Sequence, residues 1–246
     1  MEEKDFIFGS RAIMEAIKSS VEIDKLFIAR KSESEISKEL IDLAKEYKIP
    51  IQYAPVEKLN RITRKNHQGA IAFISSVSYV PLEELISSCY EQGKDPLFVI
   101  LDQVSDVRNF GAIARSAECL GFNGIIIAFK GAAKINADAV KTSAGALLKI
   151  PVSRVKSLAN SIKFLKDSGV QIISVTEKAS EICYNINLTA PLALVIGSED
   201  RGISPNLLYL SDQKVQIPME GETGSLNVSV ATSVLLYEVK RQRNSK

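Results

Sequence analysis

The strongest constraint on this 246-residue chain is an alternation in its second half. Apolar runs at Leu97 to Leu101, Gly124 to Phe129, Val170 to Val175 and Leu192 to Ile196 alternate with helix-like stretches near Ala112 to Leu120, Ala137 to Ala144, Leu158 to Lys166 and Val228 to Lys240. Short runs rich in β-branched residues suit strands buried on both faces. Strands that alternate with helices predict an α/β fold with a mainly parallel sheet and helices on both faces. Ligands of such sheets gather in loops at the carboxyl ends of strands. Every apolar run is far shorter than the ~20 residues a bilayer span requires, so no membrane role is expected.

Residues 1 to 76 read as a smaller α/β unit. Ser10 can cap a helix through Ser20, Ile23 to Ala29 has strand character, and Ile36, Leu40, Leu43, Ala44 and Tyr47 fall at helical spacing. A second strand follows Pro50, a short helix covers Val56 to Ile62, and Ala70 to Ser75 forms a strand after Gly69. Over residues 77 to 95 the pattern weakens around one amphipathic stretch, Leu82 to Tyr90. This segment reads as a linker, leaving 96 to 246 as the second domain. Charge is divided too: residues 1 to 95 hold 14 basic and 16 acidic residues, against 17 and 13 in the remainder. The net charge of +2 permits a nucleic-acid partner without requiring one. The N-terminal Met1-Glu2-Glu3-Lys4-Asp5 lacks the basic-then-apolar plan of a signal peptide, which points to the cytoplasm. Cys89, Cys119 and Cys183 match no metal pattern and read as reduced core thiols.

Three loops of the second half concentrate Gly, Asn, Ser and charge. The first runs from Asp102 to Arg115. A helix starting near Asn109 or Phe110 would offer free N–H groups to an anion, with Arg115 in its first two turns. Asn109 as a helix cap and Arg115 on a solvated face would account for the same residues. The second loop, Gly197 to Ser204, fails as a P-loop because Ile203 stands where lysine must follow the second glycine. The chain also lacks Gly-x-Gly-x-x-Gly, so neither ATP hydrolysis nor a conventional dinucleotide site is supported. What remains is a glycine-flanked loop carrying Glu199, which a capping turn would also explain. In the third loop, Ile217 to Ser229, Ser225, Asn227 and Ser229 cluster at the start of the last helix. Capping explains one of them, not all three.

In this order the loops resemble the three motifs of the SpoU (TrmH-like) family of RNA 2′-O-ribose methyltransferases. The likeness is carried by Asn109-x-Gly111-Ala112 with Arg115, by Gly197-x-Glu199-x-x-Gly202, and by Ser225-Leu226-Asn227-Val228-Ser229-Val230-Ala231; it continues through Asn136 to Ala146. The first half resembles the family's ribosomal-protein-like RNA-binding domain through Gly9 to Ile13 and His67 to Ala70. Val107 departs from the pattern, since the family usually has proline there. The resemblance implies a parallel sheet whose C-terminal segment is threaded as a deep trefoil knot, and an active site across a homodimer interface. It implies S-adenosylmethionine as methyl donor, held by Gly197, Ile217 and Leu226, and RNA as substrate. A guanosine of large-subunit ribosomal RNA is the closest analogy, with a transfer-RNA enzyme as the near alternative and a catalytically silent ribosome-assembly protein as one of a different class.

A ribose 2′-hydroxyl is a poor nucleophile at neutral pH and must lose its proton while aligned with the methyl group. The family assigns activation to its motif-one arginine, here Arg115. A guanidinium scarcely deprotonates, so Arg115 is better read as a phosphate clamp and stabiliser of developing alkoxide, with Asn109, Glu199, Ser225 and Asn227 completing the catalytic set. Glu199 is read as orienting Asn109 or Arg115. No metal is expected. The chain's one histidine, His67, lies in the first half, where a structural role competes with RNA contact. Arg11 and the stretch Lys58, Arg61, Arg64, Lys65 are candidate RNA contacts, as is the tail Lys240, Arg241, Arg243, Lys246; a solvated surface would explain the basic stretches equally.

Overall fold

The computed structural model describes residues 6–30 and 34–244, so Met1 to Asp5 and Lys246 lie outside the described residues. The chain forms two compact units. The first reaches Ser78 and also takes in Lys134–Ala137. The second comprises Tyr79–Ala133 and Asp138–Lys246.

The first unit contains β1 (Phe6–Phe8), α1 (Ser10–Lys18), β2 (Ile23–Ala29), α2 (Glu35–Glu46), β3 (Ile51–Ala54), α3 (Val56–Ile62) and β4 (Ala70–Ile74). Its sheet has the order β1-β4-β2-β3, with β4 antiparallel to both neighbours and β2 parallel to β3. One face packs Leu26, Ile28 and Ala72 against Ile13 and Ile17 of α1 and Leu40 and Ala44 of α2. On the other, Phe27, Ala29, Ala54 and Ile71 cluster with Leu59 of α3. β1 is too short for its period to stand out in the sequence. The cap of α1 also differs from expectation: Ser10 is buried in the first turn without a capping bond, and the preceding residue is Gly9 at φ +88°, a conformation that favours glycine.

The second unit contains α4 (Leu82–Glu91), β5 (Leu97–Asp102), α5 (Val107–Cys119), β6 (Gly124–Ala128), α6 (Ala137–Thr142), β7 (Val152–Val155), α7 (Leu158–Asp167), β8 (Gln171–Val175), β9 (Glu181–Ile182), β10 (Leu192–Gly197), α8 (Pro205–Leu210), β11 (Gln213–Gln216) and α9 (Val228–Asn244). Its seven strands run in the order β7-β6-β5-β10-β8-β11-β9, and every pairing is parallel. The central strands are β5 and β10, buried along almost their whole length. The segment read as a linker carries α4. Its Leu82, Leu85, Ile86 and Cys89 join the core around Phe98, Ile100, Ala193 and Val195. Burying such side chains contributes about 1.5–3 kcal/mol each, which is why a helix with a weak pattern of its own is held so firmly.

Cys89 and Cys183 are buried, and desolvation raises both thiols above their ordinary value. Cys119 is exposed at the end of α5, which corrects its reading as a core residue. All three are free. Among the described residues no helix is long and apolar enough to cross a membrane.

At Gly111, an added Cβ would lie 2.8 Å from the Thr142 Cβ and 3.1 Å from the Ala139 carbonyl oxygen of α6. Neither atom is the free end of a flexible side chain. Gly111→Ala is therefore expected to destabilise the second unit by about 1–3 kcal/mol through overpacking, read as a lower melting temperature. An unchanged melting temperature would show that α6 yields freely.

Candidate active site

Helix α5 begins at Val107, and its cap is Asp106, whose carboxylate accepts the Asn109 N–H at 2.8 Å. This corrects the reading of Asn109 as the cap. The carboxylate also occupies the helix terminus where an anion site was expected. The Asn109 side chain is consequently released for other work. Its Nδ2 donates to Glu199 Oε1 at 3.4 Å, and its Oδ1 accepts from Asn227 Nδ2 at 3.1 Å. Asn227 Nδ2 donates to Glu199 Oε1 as well, and the Val228 N–H reaches the same oxygen at 3.1 Å. Asn227 Oδ1 then accepts from the Ser229 N–H at 2.9 Å and hydroxyl at 2.6 Å, which caps α9. One polar residue from each of the three loops thus meets in a single network.

Glu199 orients Asn109 and not Arg115. Arg115 is exposed, and among the described residues its guanidinium has no hydrogen-bond or ion-pair partner. It lies six positions along α5 from Asn109, about 120° round the helix at ~100° per residue, so the two side chains do not share a face.

The second loop is built on backbone packed against backbone. Gly197 ends β10 opposite Asp102 of β5, and the chain then folds back so that Ser198 pairs with Gly202, whose N–H donates to the Ser198 carbonyl at 2.9 Å. A Cβ on Gly197 would fall 2.1 Å from the Gly202 carbonyl carbon, a distance no side chain can occupy. The far end of the loop is anchored on β5. Buried Asp102 accepts the Ser204 N–H at 2.7 Å, and Gln103 Nε2 donates to the Ser204 hydroxyl at 3.1 Å.

Between the second and third loops lies a cavity of about 470 Å³, well within the size of small-molecule sites. It opens at the carboxyl ends of three neighbouring strands, β10, β8 and β11. Gly197, Glu199, Ile217, Ser225 and Leu226 line it, whereas Asn109, Arg115 and Asn227 do not. Ile217, Met219 and Leu226 provide apolar wall, and Thr176, Glu177 and Lys178, just past β8, add polar groups. Sequence reasoning missed these last three. Their signal was available, since they follow the run Val170 to Val175 at a carboxyl strand end. Among the described residues no group of three or more His, Cys, Asp or Glu side chains is placed to hold a metal.

In the first unit, Arg11, Lys58, Arg61, Arg64 and Lys65 are exposed. His67 is buried and fully engaged: Nδ1 accepts the Gly69 N–H at 3.0 Å, leaving Nε2 to donate to Asn60 Oδ1 at 2.9 Å. With no ring nitrogen left for RNA, its work is to hold the turn that enters β4.

The ligand-sized cavity of this α/β unit thus lies at the carboxyl ends of parallel strands, where open sheets of this kind bind their ligands. Residues 96–237 match the model of the SpoU rRNA methylase family, and residues 6–80 match that of the RNA 2′-O ribose methyltransferase substrate-binding domain. The chain belongs to the SpoU family of RNA methyltransferases. It is 36% identical to YacO of Bacillus subtilis (strain 168), named for the TrmH family of tRNA/rRNA methyltransferases, over 99% of this chain and 98% of that protein. The SpoU methyltransferase AviRb from Streptomyces viridochromogenes, solved in complex with the cofactor AdoMet, aligns with a TM-score of 0.63 and 26% identity over 98% of this chain and 91% of that one. The TrmH/SpoU tRNA modifying enzyme of A. aeolicus aligns at 0.57 and 30% identity over 67% of this chain and 85% of its own.

Glu199→Ala removes the acceptor shared by Asn109, Asn227 and Val228. Amide hydrogen exchange at Val228 is expected to quicken roughly fivefold, the equivalent of losing a ~1 kcal/mol helix cap, while β10 amides keep their protection. Unchanged exchange at Val228 would show that Asn227 alone secures the helix start.

Proposed function

We propose that this chain transfers the methyl group of S-adenosylmethionine to the 2′-hydroxyl of a ribose in RNA, with a guanosine of large-subunit ribosomal RNA as the target. The observation that carries the reading is the cavity beside the Asn109, Glu199 and Asn227 network. Its residues fit the donor. Ile217 and Leu226 offer apolar surface to the flat faces of an adenine, and Gly197, packed directly on the Gly202 backbone, fixes the loop that lines the cavity beside them. When bound, the donor supplies a methyl group on a positively charged sulfur. Ser225, exposed at the cavity, addresses the ribose. Arg115, partnerless within the described chain, clamps an RNA phosphate and stabilises negative charge on the attacking oxygen. The hydroxyl proton passes to solvent or to a phosphate, since a guanidinium is too weak a base. Asn109, Glu199 and Asn227 keep the loops in register.

The reading includes a deep trefoil knot in the C-terminal part and a homodimer that completes the site. The dimer is supported by Val230, Val234 and Tyr237, which leave an exposed apolar stripe at i, i+4 and i+7 along α9. Three unbridged cysteines accord with a reducing cytoplasm. Similarity to the A. aeolicus tRNA modifying enzyme favours transfer RNA as a second reading, whereas the match of residues 6–80 to a separate substrate-binding domain supports ribosomal RNA by family analogy. Ribose-methylation mapping in cells with and without this protein decides between them. Loss at one ribosomal guanosine is expected, loss in transfer RNA would favour the alternative, and loss in neither would overturn the enzyme.

Calorimetry should show donor binding undiminished by a chelator, because among the described residues no metal-ligand cluster stands at the cavity, and abolished in Gly197→Ala, whose Cβ collides with Gly202. Binding that vanished with chelator would refute the metal-free site. Arg115→Ala is expected to cut single-turnover methyl transfer by roughly 10²–10³ while donor affinity holds, in line with removal of one oxyanion donor. Lys at 115 keeps the charge without the planar fork and should restore only part of the rate. Near-normal transfer by Arg115→Ala would return Arg115 to a solvated helix face.

A further inference from the structure

Two local costs meet where the first loop leaves β5. Gln103, the residue after that strand, has φ +59°, in the left-handed region that residues with a Cβ seldom adopt. Ser20, Lys48 and Ala144 adopt it where helices end, as is usual, and Gln68 in the turn before β4. Gln103 follows directly on a strand. The second cost lies at Ser204, the N-cap of α8. A serine there ordinarily turns its hydroxyl onto an amide of the first helical turn, and Ser204 makes no such bond. Its hydroxyl instead accepts from Gln103 Nε2 at 3.1 Å, across 101 residues of chain.

A strained backbone and a forgone cap thus share one hydrogen bond. If that bond served stability alone, glycine at 103 and a capping hydroxyl at 204 would serve it better. Strain of this kind persists only where the surroundings over-determine it. Here they do so on both sides of Gln103. The Asp102 carboxylate holds the Ser204 N–H at 2.7 Å, and the carbonyl of buried Val104 accepts the Ala133 N–H at 2.9 Å. The left-handed residue therefore fixes the direction in which the first loop departs toward Asp106 and α5, the helix that carries Asn109 and Arg115. Ser204 in turn closes the second loop directly after Ile203, which lines the cavity.

We propose that Gln103 and Ser204 form a latch that positions the first loop, and with it Asn109 and Arg115, for methyl transfer at the cavity. The proposal rests on the reading of the chain as an RNA methyltransferase and adds two positioning residues to it. Neither residue lines the cavity, so both act through the loops they join. Glu199 ties the same two loops further along, at Asn109. Two ties fix the direction of a loop where one would leave a hinge.

The test is single-turnover methyl transfer from S-adenosylmethionine to RNA and ribosomal particles of cells lacking this protein, with donor calorimetry and thermal unfolding on each variant. Gln103→Gly removes the side-chain bond and also relieves the backbone strain, so its melting temperature should stay within about 2–4 °C of the parent. Its rate should fall about tenfold, less than the ~10²-fold that a misplacement of ~1 Å can cost, while donor affinity holds. Ser204→Ala should match it. Ser204→Thr keeps the hydroxyl and should recover most of the rate. The double variant Gln103→Gly with Ser204→Ala should be no slower than either single one, because both break the same bond. Additive losses, near-parental rates in both single variants, or rates that fall only in step with melting temperature or donor affinity would overturn the latch and leave the methyltransferase reading standing. A parent chain that bound donor but methylated no RNA would sink both.

Discussion

One carboxylate oxygen organises the candidate site. Glu199 Oε1 accepts from Asn109, from Asn227 and from the first amide of α9, drawing together three chain segments. Each segment alone is a loop with many conformations, and fixing a residue's backbone costs of order 1–2 kcal/mol. A shared acceptor lets every bond restrain two loops together. The negative charge also stands at the N-terminus of α9, where the aligned peptide dipoles favour it.

That oxygen is useful only because the loop beneath it is fixed. Gly197 lies so close to Gly202 that no side chain could intervene, and Asp102 holds the other end of the loop to the neighbouring strand through Ser204. The cavity that results is lined by Gly197 and the loop to Ile203, by Ile217, Met219 and Leu226, and by the polar Thr176, Glu177 and Lys178. The chain lacks the glycine-rich phosphate motifs of nucleotide-hydrolysing enzymes, and its cavity is built from other loops.

The first unit uses polar groups differently. His67 and Asn60 are consumed in holding a turn, while the ammonium groups of Lys25 and Lys134 lie over the Phe73 ring. In one case a chemically versatile side chain is spent on structure. In the other, ordinary surface residues acquire a common position.

The strong apolar runs of β5, β6, β8 and β10 were legible because strands buried on both faces admit little but β-branched and aliphatic residues. The order of the seven strands was not, because the period of a strand says nothing of its neighbours. β7, β9 and α8 are too short to show a period, and α4 shows its worth only against the core it completes. Within the site, the residue types and loops were legible from glycine, asparagine and carboxylate in an order that resembles a known family. Which of them touch was decided by tertiary structure. Asp106 took the capping role and released Asn109 to Glu199, Arg115 was turned to a different face of α5, and Thr176 to Lys178 entered the cavity from a strand far away in sequence. Local chemistry is written in the sequence because propensity and capping act over a few residues; the meeting of Gln103 and Ser204, like that of Asn109, Glu199 and Asn227, exists only once the sheet sets its register.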